Sequence, residues 1–170
     1  MRKTSSVVIA TLMLAAALTC ALNRSVQAED SGRLIGSWYV TATEDRFGKG
    51  GTFAALTGDA GVGLAVRCIE GDLTIGVLDM SPDPKPLPIG GKFVIKLRID
   101  KEPIMTTVGQ AISDRLIQVS TQADMVRTIR KGRETALRLE SADGVSLTRI
   151  FKTRETSKAF DRIAKECNLD

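Results

Sequence analysis

Two period-two runs around a short turn constrain this chain more than any other feature. Leu64, Val66 and Cys68 alternate with Ala65, Arg67 and Ile69, and Glu70-Gly71-Asp72 follows. Leu73, Ile75 and Val77 then alternate with Thr74, Gly76 and Leu78. A two-residue side-chain period is that of a strand, so the segment from Gly63 to Met80 predicts an antiparallel hairpin. Residues 92–100 repeat the pattern, with Phe93, Ile95, Leu97 and Ile99 inward and Lys96, Arg98 and Asp100 outward.

Shorter runs of the same kind lie around Trp38-Tyr39-Val40, over Thr52–Leu56, Ile104–Val108, Arg115–Val119 and Thr135–Leu139, and over residues 145–151. Phe47-Gly48-Lys49-Gly50-Gly51 reads as a flexible turn, because it lacks the spacing of a phosphate loop. Ser81–Gly91 holds four of the five prolines. Proline cannot donate to a ladder, so this stretch predicts an exposed, extended loop. Met125, Val126 and Ile129 are helically spaced within 121–131, with Gly132 as a stop. Phe160, Ile163, Ala164 and Cys167 share one face of a terminal helix over about 157–167. The expected fold is mainly β: an antiparallel β-sandwich or open barrel with a short mid-chain helix and a C-terminal helix.

Residues 1–28 read as a cleaved signal peptide. Arg2 and Lys3 precede an uncharged apolar run from Val7 to Leu22, and Val26-Gln27-Ala28 fits a cleavage site before Glu29. The run is shorter than the roughly 20 residues of a membrane span. The expected location is therefore the periplasm, with residues 29–170 as one β-rich domain. The residues before Cys20 fit a lipoprotein signal poorly, so lipidation there is not expected. Loss of Arg2, Lys3 and Arg24 takes the 24 basic residues to 21, against 20 acidic ones. A near-neutral domain has no broad electrostatic footprint for nucleic acid. Arg127, Arg130, Lys131, Arg133 and Arg138 read as a solvated helix face, with an anionic-ligand patch as the alternative.

Cys68 and Cys167 are the thiols left after processing, and in an oxidising space they predict a disulfide between strand and terminal helix. The chain has no histidine. That excludes histidine-based triads and general bases, and two cysteines without histidine do not make an ordinary zinc site. No cofactor and no metal site are expected. A two-carboxylate hydrolase would have to draw on Glu44, Asp45, Asp59, Asp72, Asp79 and Asp100, which fall mostly at turns and strand edges. Seven aromatic residues, mostly at core positions, also disfavour a sugar-lined cleft. No enzyme is expected. Arg67 and Arg98 sit inside apolar strands and, with Asp100, form either an interaction surface or an outward salt-bridge ladder.

Leu64-Ala65-Val66-Arg67-Cys68, then Leu97-Arg98-Ile99-Asp100, then a last helix ending at Cys167, with Trp38 near the start, form an ordered pattern. It resembles periplasmic proteins of the type VI secretion-associated accessory family, and small envelope proteins of the invasion-associated locus B family. The resemblance implies a secreted, non-enzymatic β-sandwich that serves as an accessory or interaction module for an envelope protein. With two mature cysteines the chain departs from the invasion-associated pattern, so no invasion role is carried over. The alternative expectation is a periplasmic carrier holding a small or amphiphilic ligand inside the sandwich.

Overall fold

The alternating runs become strands in the computed structural model, which describes residues 32–44, 51–121, 123–144 and 146–169. The signal-peptide reading, Cys20, Asp45 and most of the glycine-rich stretch lie outside the described residues. Ten strands and three short helices occur among those described: β1 Arg33–Ile35, β2 Trp38–Glu44, β3 Gly51–Asp59, β4 Val62–Ile69, β5 Asp72–Asp79, β6 Lys92–Ile99, β7 Met105–Ala111, β8 Leu116–Ser120, α1 Ala123–Lys131, β9 Glu134–Ser141, β10 Ser146–Lys152, α2 Thr156–Ala159 and α3 Asp161–Glu166. All strands pair antiparallel in one sheet of order β1-β2-β3-β4-β5-β8-β7-β6-β9-β10.

The hairpins are tighter than the sequence suggests. Ile69 pairs directly with Asp72, leaving Glu70 and Gly71 as the loop, both at positive φ. Asp59 pairs with Val62, leaving Ala60 and Gly61, again both at positive φ. Two-residue loops of this hand match the right-handed twist of the flanking strands. That match explains why Glu70 and Ala60 tolerate a region costly to residues bearing a Cβ.

Sequence neighbours stop being sheet neighbours after β5. The proline loop leads past two strand positions, so β5 pairs with β8 and β6 lies three places away. The loop is tied down by Leu87 N–H to the Asp114 carbonyl at 2.8 Å and by Ala111 N–H to the Gly91 carbonyl at 2.9 Å. Strands β6, β7 and β8 form a meander, and α1 returns the chain so that β9 lies beside β6. This is Greek-key order.

The sheet does not close into a barrel, because β1 and β10 are not paired to each other. Its two halves face one another, and β10 packs against β3 without joining its ladder. Between them lies one continuous core that includes Trp38, Leu64, Ile75, Ile95, Leu97, Ile117, Leu137 and Phe151. The inward set read from residues 92–100 is buried, while Arg98 and Asp100 are exposed.

The terminal helix is two pieces. Phe160 has φ −95° and ψ 4°, which separates α2 from α3. Its fully buried ring meets Trp38 edge-on, with centroids 4.8 Å apart. Asn168 is left-handed at φ 51°, and Leu169 N–H bonds the Ala164 carbonyl at 2.9 Å. That 6→1 bond with a left-handed residue is how a helix end satisfies its last carbonyls. Cys68 and Cys167 form a disulfide with Cα atoms 6.0 Å apart, fixing the end of α3 to β4.

Candidate functional site

An open cleft of about 1040 Å³ is formed by four chain segments. They are the turn after β6, the end of α1 with the link to β9, the start of β9, and the chain from Lys152 to Ser157. Asp100 builds the floor. It adopts φ 48°, a left-handed conformation that aspartate tolerates better than most residues. Its carboxylate accepts the backbone N–H of Glu134 at 2.9 Å and of Arg133 at 3.1 Å. Thr153 closes the other side: its N–H donates to the Arg133 carbonyl at 2.8 Å and its hydroxyl to the Gly132 carbonyl at 3.3 Å. Gly132 is where α1 stops, and a Cβ there would lie 2.2 Å from Ile99 Cγ2. The turn therefore packs this closely only with glycine.

Six cations line this frame: Lys101, Arg130, Lys131, Arg133, Lys152 and Arg154. Three carboxylates accompany them, from Asp100, Glu134 and Glu155. Arg130 pairs with Asp161 at 3.6 Å, and Glu155 with Lys158 at 3.8 Å. Lys101, Lys131, Arg133, Lys152 and Arg154 are exposed and have no ion-pair partner among the described residues. Arg130 and Lys131 also complement the C-terminal end of the α1 dipole, an ordinary reason for cations there. Arg133, Lys152, Arg154 and Lys101 are not helical and have no such local reason.

The basic run of the sequence is thus not one helix face. Arg127 is engaged by the C-terminal tail, its Nε donating to the Leu169 carbonyl at 2.8 Å and Nη1 meeting Asp124 at 2.8 Å. Arg138 lies on β9 and pairs with Glu140 at 3.0 Å. The cause is Gly132, which ends α1 before Arg133 and Arg138 are reached. Lys96 meets the same Glu140 at 3.0 Å, and this bond holds the Glu140 carboxyl below its ordinary range.

The three polar residues singled out in the sequence are dispersed. Arg67 and Arg98 lie on strands separated by β5, β8 and β7, so they do not share a surface row. Arg67 reaches diagonally across β5 and donates to Gln118 Oε1 at 2.8 Å. Arg98 is exposed on the outer face of β6, opposite Ala136. Asp100 alone lines the cleft. The cations at 101, 152 and 154 carried no signal in the sequence, because each stands on a different segment.

The candidate acids do not converge. Glu44 bonds Arg162, whose guanidinium lies 5.0 Å from the Phe53 ring centre. Asp79 accepts the Ser81 hydroxyl and N–H, which holds its carboxyl below the usual range. Asp59 and Asp72 are exposed beside hairpin turns. Of these candidates, Asp100 lines the basic cleft and Asp79 a different cavity. No group of three metal-ligating side chains occurs among the described residues. No described helix is long and apolar enough to cross a membrane.

A second cavity of about 240 Å³ opens between the sheet halves, lined by Val62, Val77, Ile117, Leu139 and Leu147, with Leu87 from the proline loop. Arg149 and Asp79 stand among its polar residues.

No known protein-family profile matches the chain, and no curated protein does. Solved structures do match. The chain shares its fold with invasion associated protein B from Bartonella henselae. The two superpose with a TM-score of 0.53 over 79% of this chain and 96% of that one, at 13% identity. The likeness supports the β architecture expected from the sequence. The buried Cys68–Cys167 disulfide is compatible with a location outside the reducing cytoplasm.

Proposed function

We propose that this chain is a non-enzymatic accessory protein of the bacterial envelope that works by binding a partner at the basic cleft. It acts in the periplasm once residues 1–28 are removed as a signal peptide. The observation that carries the reading is the gathering, around one rigidly built cleft, of five cations with no ion-pair partner among the described residues. Unpaired like charges held together repel one another, and an anionic partner relieves that repulsion. The absence of any histidine from the sequence supports binding over catalysis. The resemblance to accessory proteins supports a finer reading, a place beside an envelope machine such as a secretion system.

The test is site-specific photocrosslinking in cells. A crosslinker replaces Ser157 in the cleft, or Lys92 at the far end of β6 as a control. We expect one reproducible envelope partner from position 157 and none from 92, with the chain in the periplasmic fraction. Equal crosslinking from both positions, or a cytoplasmic chain, would defeat the reading. A carrier function is the second reading, favoured by the apolar cavity between the halves. At about 240 Å³ it falls just below the roughly 300 Å³ lower bound for ligand pockets. Native mass spectrometry of freshly purified protein should show a bound small amphiphile if that reading holds.

A further inference from the structure

We infer that the cleft receives an acidic segment of a partner protein rather than a phosphate-bearing lipid or free phosphate. The inference rests on the binding reading above and names the partner's chemistry. The balance of charge favours it. Arg133 and Arg154 present forked donors that suit carboxylates and phosphates alike, flanked by the single-point cations of Lys101, Lys131 and Lys152, so the neighbouring acids decide between them. The carboxylates of Asp100, Glu134 and Glu155 stand among them. A compact cluster of phosphates would be pressed against those three carboxylates. A polypeptide spaces its charges along its length, so its acids can meet the arginines while neutral or basic residues pass the glutamates.

The surroundings point the same way. A lipid-facing surface sets apolar side chains beside its cations. The exposed large apolar residues, including Leu34, Ile104 and Ile150, do not line this cleft. The frame is also set before any partner arrives. Asp100 and Thr153 fix the backbone through bonds that none of the five free cations' side chains makes. Exchanging those cations therefore changes charge without changing shape.

The test is fluorescence anisotropy with a labelled ten-residue peptide of alternating glutamate and serine, and its glutamine counterpart. We expect the acidic peptide alone to bind, and to weaken steeply between about 50 and 200 mM salt. The double variant Arg133→Glu/Arg154→Glu should weaken it about tenfold or more, and Lys92→Glu should leave it unchanged. Lys131→Gln/Lys152→Gln, a milder change on exposed side chains, should weaken it by a smaller factor and secures the result if the arginine pair misfolds. Binding that survives both double variants overturns the inference. So does pyrophosphate, or vesicles of phosphatidylglycerol, outcompeting the peptide at equal charge concentration. If the crosslinker at position 157 still captures one partner while the acidic peptide fails, the binding reading stands and this inference falls. If both fail, both fall.

Discussion

Single residues in this protein act where polar groups are sealed from water. Trp38 is fully buried, and its indole N–H donates to Thr156 Oγ1 at 3.0 Å. Thr156 is itself buried at the start of α2, so the bond joins the second strand to the last helical segment across 118 positions. Gly36 makes that approach possible. It sits at φ 59°, and a Cβ there would lie 2.1 Å from the Arg154 carbonyl oxygen. Replacing Thr156 with Val keeps the shape and leaves the indole N–H without an acceptor. We expect a loss of about 1–3 kcal/mol in urea unfolding, with an unchanged m value. A loss below about 0.3 kcal/mol would show that the bond contributes nothing. Trp38 was legible in the sequence as a core residue. Its acceptor was not, because nothing local ties position 38 to position 156.

At the scale of elements, the disulfide fixes the short terminal helices to the sheet. A helix of six residues is far below the length that is stable alone in water, so α3 depends on tertiary contacts. Phe160, Ile163, Ala164 and Leu169 supply them, and Cys167 adds a covalent link to β4. The crosslink spans 99 positions, a long loop whose closure in the unfolded chain is entropically costly. Cys68→Ser/Cys167→Ser should therefore destabilise the domain by about 2–5 kcal/mol, seen as a lower melting temperature that reducing agent does not lower further. An unchanged melting curve would refute a structural role. The pairing was readable from Cys68 and Cys167 once the sequence is read as that of an exported chain. The break at Phe160 was not, since periodicity cannot register a single residue leaving helical dihedrals while its ring docks on Trp38.

At the scale of the whole molecule, one core serves both halves of the sheet. The buried residues of β1 to β5 and of β6 to β10 belong to a single contiguous cluster, to which α1 adds Val126 and Ile129 and α3 adds Ile163 and Ala164. Residues 29–170 should accordingly unfold in one cooperative transition, with circular dichroism and tryptophan fluorescence midpoints coinciding. Two separated midpoints would mean that the halves are independent units. The shared core also gives the cleft its rigidity, because all four of its segments begin or end on elements anchored in that cluster.

By itself the sequence determined the mainly β class, the inward and outward faces of the central strands, and the pairing of Cys68 with Cys167. These follow from short-range facts: a two-residue period, prolines that cannot donate, and two cysteines with no histidine. Only the tertiary structure decided that β5 pairs with β8, that Arg67 and Arg98 lie on separate rows, and that the cations at 101, 131, 133, 152 and 154 surround one cleft. Strand order is set by the competition of long-range pairings for a shared core, and residues far apart in the chain become neighbours only when that competition is resolved.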